Sequence, residues 1–194
     1  MVALSAPGWL LDRSLSGHRD ALAFIRLCVA TRPRLAYPAR STKAMQYKQP
    51  RSVQVVIFSE TQGAREFLLL RRVASHGGFW QSVTGSLEEA ETHLEAAVRE
   101  VREETGIIVT AKQLIDLRLV NTFEIAPQWR TKYAPEVTHN EEVCFALRVD
   151  RCEVRIDSIE HDVWMWSDRD TAMKMLYWES NKRALTSLED CLRG

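Results

Sequence analysis

The chain carries no surplus charge: 26 Lys and Arg side chains are matched by 26 Asp and Glu. No global field therefore draws it to nucleic acid or to an anionic membrane. It contains no run approaching the roughly 18 apolar residues that a membrane-spanning helix needs. Its cysteines, Cys28, Cys144, Cys152 and Cys191, are scattered without metal-ligand spacing. That argues against a cysteine-held metal and against a secreted disulfide framework, so reduced thiols in a cytoplasmic protein are expected. Internal repeats and low-complexity tracts are absent too. Against these absences stand 194 residues with 45% apolar content, enough for one domain with a sizeable core.

Charge is nevertheless unevenly spread. Residues 1–44 hold seven basic side chains (Arg13, Arg19, Arg26, Arg32, Arg34, Arg40, Lys43) against Asp12 and Asp20, and the remainder is correspondingly acidic. The segment lacks sustained apolar periodicity, although residues 20–30 could form a short helix, and Pro33 and Pro38 interrupt its end. Its composition suits translated sequence upstream of a later start at Met45, a poorly ordered extension, or a transit peptide. The expected division is an amino-terminal extension, 1–44, and one folded domain, 45–194.

What is present is concentrated between Gly85 and Ile107. From Thr92 to Glu104 the apolar residues Leu94, Ala97, Val98 and Val101 recur at i, i+3, i+4 and i+7, which predicts an amphipathic helix with one buried stripe. Glu100 and Glu104 are one turn apart and Glu103 adjoins them, so three carboxylates form one ridge. Like charges at i, i+4 destabilise a helix by roughly 0.2–0.5 kcal/mol. The arrangement makes sense if a cation neutralises it, and an all-oxygen ligand set points to Mg²⁺, with Mn²⁺ as the alternative. Arg99 can pair with Glu103, and Glu91 lies where the helix dipole favours an anion. Gly106 suits a helix C-cap, and Gly85 lets the backbone approach a metal or phosphate. A solvated charged helix face would explain three glutamates alone, but not two glycines at fixed spacing from them.

The order Gly85, Glu91, Arg99-Glu100-Val101, Glu103-Glu104 and Gly106-Ile107 fixes nine positions within 23 residues. This segment resembles the Nudix box, the signature of hydrolases that cut a nucleoside diphosphate linked to another group. Its structural context is also predicted: 52–58 and 67–70 read as buried strands, and 80–84 runs extended into the box. The resemblance implies an α/β Nudix fold, a mixed β-sheet sandwiched between helices with the box as a loop-helix-loop.

Outside the box, Tyr47-Lys48-Gln49-Pro50, Leu70-Arg71-Arg72, residues 79–85, Phe123-Glu124-Ile125, Lys132-Tyr133-Ala134-Pro135, Val137-Thr138-His139-Asn140 and Ser180-Asn181 are similar to the dihydroneopterin triphosphate pyrophosphatase branch of that family. The similarity runs from about Met45 to Asp190. It implies Mg²⁺-dependent hydrolysis of 7,8-dihydroneopterin triphosphate to the monophosphate and pyrophosphate, a step of folate synthesis. By resemblance Lys48, Arg71, Thr84, Phe123, Glu124, Ile125, Ala126 and Ser180 fall at substrate-contacting positions. Cations such as Lys48, Arg71, Arg130 and Lys132 suit the charge of a triphosphate. Phe123 could flank a flat pterin or simply pack as a core aromatic.

Glu100, Glu103, Glu104 and Glu142 are the expected catalytic carboxylates, with Glu100, Glu104 and Glu142 as metal ligands. Glu142 opens a predicted strand and serves as a third ligand or as the base; resemblance favours it over Glu141. One departure from the branch pattern is Ala90, where a glycine is common. A nucleoside triphosphate or dinucleoside polyphosphate hydrolase is the rival reading, and a binding module without catalysis is disfavoured by the intact carboxylate set. The expected partner is a small-molecule triphosphate, with neither nucleic acid nor membrane; the sequence leaves the oligomeric state open.

Overall fold

A computed structural model describes residues 47–193; the readings made for residues 1–44, including the short helix and Cys28, lie outside the described residues. The elements are β1 (Arg51–Thr61), β2 (Ala64–Arg72), β3 (Trp80–Gln81), β4 (Val83–Ser86), α1 (His93–Thr105), β5 (Leu114–Glu124), β6 (His139–Arg148), β7 (His161–Ser167), α2 (Arg169–Met175) and α3 (Glu179–Arg193). The predicted strands 52–58 and 67–70 fall inside β1 and β2.

The seven strands form one mixed sheet in the order β3-β2-β1-β6-β5, with β4 on β1 and β7 on β2. β1 and β6 run parallel from Arg51↔Glu141 to Phe58↔Arg148, and the other pairings are antiparallel. β1 pairs with β2 only over Phe58–Thr61 and takes β4 as its neighbour over Ser52–Val55. Meanwhile β2 pairs with β3 at Leu70 and Arg71. The sheet is thus parted by a seam between β1–β4 and β2–β3.

Because strand side chains alternate between faces, each long strand feeds two cores. Val53, Val55, Ile57, Leu68, Leu70, Phe145 and Leu147 pack against Ala96, Ala97 and Val101 of α1. Val56, Phe58, Phe67, Leu69, Cys144 and Ala146 pack against Ala172 of α2 and Ala184, Leu185 and Leu188 of α3. β1 is buried on both faces over eight consecutive residues, which is why residues 55–58 read as a continuous apolar run rather than an alternating one.

α1 starts where its sequence says it should. The Thr92 hydroxyl accepts from the Glu95 amide while the Glu95 carboxylate accepts from the Thr92 amide at 2.9 Å, a reciprocal cap. Gly106, at φ +72°, closes the helix in the left-handed conformation. The buried stripe differs in one respect from the predicted one. Leu94 is 41% exposed, and the inward positions are Ala96, Ala97, Val101, Glu104 and Thr105. Leu94 lies in the first turn, where the helix has not yet come to rest on the sheet, whereas Glu104 occupies a core position that an apolar-periodicity argument passes over.

Candidate active site

Glu100, Glu103 and Glu104 come together at the carboxyl-terminal half of α1, beside β4. A Cβ placed on Gly85 would fall 1.8 Å from the Glu100 carboxylate, so a side chain here would displace that carboxylate from its place against β4. Glu104 is buried; its Oε2 accepts from the Thr84 amide at 3.4 Å, while Oε1 is buried without a hydrogen-bond partner. The carboxylates are electrostatically uncomfortable. Burial, then repulsion from Glu104, raises Glu100 to about 7. Burial raises Glu104 as well, opposed by the neighbouring His161 ring.

Arg99 organises the box around them. Its Nε and Nη2 donate to the two oxygens of Glu91, each at 2.9 Å, and Nη2 also reaches the Ser86 carbonyl at 2.9 Å. Nη1 donates to Glu100 at 2.6 Å and to Glu103 at 3.2 Å. Glu91 further accepts from the Glu88 amide at 2.9 Å. The expected Arg99–Glu103 pair is present, but the bidentate partner is Glu91, so these two residues staple the loop before α1 to the helix itself. Ala90, the departure noted in the sequence, adopts φ +63°. The turn keeps the left-handed shape that glycine would take without strain.

The donor set fits a hard divalent cation. The box donors are carboxylate oxygens, Glu100 and Glu104 are held unfavourably by burial, and the buried Glu104 Oε1 lacks a partner. Glu160 and His161, which sequence reasoning missed, join Glu104 in a cluster whose potential ligand atoms lie within 4.8 Å of one another. His161 Nε2 lies 3.4 Å from Glu104 Oε2, and the ring is fully buried at the start of β7. Nothing near His161 in sequence signals this meeting; only the β2–β7 pairing brings it there.

The remaining expected residues separate by sheet face. Arg71, Thr84, Phe123 and Glu142 take the alternation of Leu69, Gln54, Asn121 and Cys144 and so belong to the α3 face. Ser180, in the first turn of α3, neighbours the Glu142 carboxyl and favours its ionised form. The described polar contacts of Glu142 are with Asn121 and Ser180. Its Oε1 accepts from Asn121 Nδ2 at 3.3 Å, and burial raises it to about 7, opposed by Asn121 and Ser180. The parity of β6 puts Glu141, not Glu142, on the face that α1 covers. The role of Glu142 as a third metal ligand stands as an expectation from the resemblance. Arg71 is already engaged: Nε and Nη2 hold Asp162 at 2.8 and 3.1 Å, and its guanidinium sits 6.0 Å from the Trp80 ring centroid. Lys48 is exposed, its amide donating to the Lys132 carbonyl at 2.9 Å, which joins two of the predicted cationic segments. In the Phe123 to Ala126 segment Phe123 and Glu124 are exposed, Ala126 is half-buried, and Ile125 is buried with its amide on the Thr138 carbonyl.

Residues 48–188 match the NUDIX domain family. The chain is 43% identical over 141 residues to the dihydroneopterin triphosphate diphosphatase of Escherichia coli K12, covering 72% of this chain and 91% of that protein. It is 36% identical over 143 residues to the Haemophilus influenzae protein of the same name, covering 73% and 88%. The solved structure of the E. coli dihydroneopterin triphosphate pyrophosphohydrolase superposes with a TM-score of 0.63 at 40% identity, covering 71% of this chain and 93% of that one. A Caenorhabditis elegans Ap4A hydrolase complex gives 0.56 at 25% identity, covering 74% and 98%. With the box geometry in place and the family match spanning all but the ends of the described residues, this chain belongs to the Nudix hydrolase family.

Proposed function

We propose that the protein hydrolyses 7,8-dihydroneopterin triphosphate to dihydroneopterin monophosphate and pyrophosphate. The observation that carries this reading is the 43% identity, over 91% of its length, to an enzyme named for that substrate. Glu100 and Glu104, with Glu103 beside them and the Gly85 carbonyl, would hold Mg²⁺, or Mn²⁺ in its place. When bound, the cation supplies charge neutralisation for the phosphates and a more acidic water. Arg99 fixes the positions of Glu100 and Glu103, and the Thr84 amide fixes Glu104. Glu103, half-exposed at the rim, is the box carboxylate that water reaches most readily and can take its proton. Lys48 and Arg71 supply positive charge for the triphosphate, Phe123 and the residues to Ala126 flank the heterocycle, and Ser180 contributes a hydroxyl at that end.

The test is kcat/KM for dihydroneopterin triphosphate, GTP and ATP measured side by side, with the phosphorus products identified. The pterin compound is expected to exceed ATP by at least about tenfold and to release pyrophosphate. A preference for ATP or a dinucleoside polyphosphate would move the chain to the rival substrate class and leave the box chemistry as described.

A further inference from the structure

Beneath the amino-terminal turn of α3 the sheet buries polar side chains where core residues would be expected. Gln54 is 0% exposed, Asn181 1%, Asn121 2%, and Asn140 and Glu142 4% each. Part of the cluster has a structural task. Asn181 accepts from the Ser82 amide at 2.7 Å and donates to Gln54 Oε1 at 3.3 Å, anchoring α3 to the sheet. Gln54 Nε2 and Asn121 Oδ1 are nevertheless buried without partners, a donor and an acceptor on the strands either side of Glu142, with Asn121 directly opposite it and Gln54 opposite Cys144. Desolvated groups of this kind are costly unless something else uses them. Aromatic surface stands beside them. Phe123 follows Asn121 on the same face and is 39% exposed, and Trp129 and Trp178 approach at 6.0 Å between ring centroids.

Flat aromatic surface beside a row of fixed donors and acceptors is what a planar heterocycle needs. We infer that Glu142, together with Gln54 Nε2 and Asn121 Oδ1, reads the edge of a 2-amino-4-oxopyrimidine ring and is not a metal ligand. A carboxylate presents two acceptors side by side, and that ring presents a ring N–H and an amino group side by side. Gln54 Nε2 can donate to the ring carbonyl. Adenine instead places a bare ring nitrogen next to its amino group, so one carboxylate oxygen would face a lone pair. The inference deepens the proposed function and rests on it for the presence of such an edge in the substrate.

The experiment uses the full chain and the variants Glu142→Gln and Gln54→Met, each close in size to the residue it replaces. Steady-state kcat/KM is measured for dihydroneopterin triphosphate, GTP and ATP, and Mn²⁺ affinity by electron paramagnetic resonance. In both variants the pterin-to-ATP and GTP-to-ATP ratios should fall by at least about tenfold, with the Mn²⁺ affinity of Glu142→Gln within about threefold of the unsubstituted chain. An equal fall for all three substrates with weakened Mn²⁺ binding would make Glu142 a metal ligand and overturn the inference. Unmoved ratios would reduce the cluster to an anchor for α3 and overturn it as well. If Glu142→Gln fails to fold, the ratios in Gln54→Met decide. Preference of the unsubstituted chain for GTP over the pterin compound, with the ratios to ATP still falling in the variants, would overturn the proposed substrate and leave the edge reading standing.

Discussion

At the scale of single residues, Glu100 is where structure and chemistry press hardest on one another. Its carboxyl, ordinarily ionised well below neutrality, is pushed up to about 7 by burial and then by Glu104. A folded-state pKa above the unfolded one means the native protein binds the extra proton between about pH 4.5 and 7. Metal-free stability therefore falls as pH rises through that window. Chemical unfolding in EDTA should show lower stability at pH 8 than at pH 5, and Glu100→Gln should flatten part of that slope. If Glu100 holds the cation as proposed, the same variant should lose on the order of a thousandfold in kcat, because one negative oxygen is removed at constant volume. Near-normal turnover at saturating Mg²⁺ would remove Glu100 from the site.

Arg71 and Ser180 make a second residue-scale contrast. Arg71 sits against Asp162, and Ser180 against Glu142. Arg71→Ala should weaken the pterin triphosphate and ATP alike, since both present the same phosphates, while Ser180→Ala should hurt the pterin compound more. Parallel kinetics on both substrates check this, and a selective loss in Arg71→Ala would show that it does not act on the phosphates.

At the scale of elements, α1 was legible because its caps, its spacing and its box glycines are all local signals. Thr92 and Gly106 mark its ends, and the carboxylates follow from 3.6-residue periodicity. Glu104 was legible as a member of the box but not as a buried group, since burial depends on which strands the helix lies across. Glu142 shows the opposite limit. Its type and its place on a strand can be read from sequence, but the face it takes depends on strand parity relative to β1, and a shift of one residue exchanges it with Glu141. The turn before α1 carries its own prediction. Ala90 holds φ +63°, a conformation costing an L-residue about 1–2 kcal/mol relative to the right-handed region. Ala90→Gly should relieve that strain, less the entropy glycine adds to the unfolded chain. Differential scanning calorimetry should show Tm rising by about 2–4 °C per kcal/mol gained; a lowered Tm would mean that the neighbouring Glu91–Arg99 staple needs the stiffer residue.

At the scale of the whole molecule, the mixed sheet and its two helical layers explain why the sequence disclosed one half of the site more clearly than the other. The box carboxylates are close in sequence because one helix carries them. The polar cluster under α3 draws on β1, β5, β6 and α3, residues up to 127 positions apart in a single hydrogen bond, and only the assembled sheet gathers them. Among the described residues no helix is long and apolar enough to cross a membrane. The family match begins at residue 48 and the first strand at Arg51, while the Lys48 amide already bonds to Lys132. We propose that residues 45–194 suffice as the catalytic domain. A chain beginning at Met45 would retain Lys48, every strand and helix described, and all the proposed site residues. It should therefore match the full chain in kcat/KM and lie within about 1 kcal/mol of it in urea unfolding, the scale at which loss of core contacts registers. Insolubility or a larger loss would assign residues 1–44 to the domain, and a loss confined to KM for one substrate would place part of that segment at the substrate's side of the site.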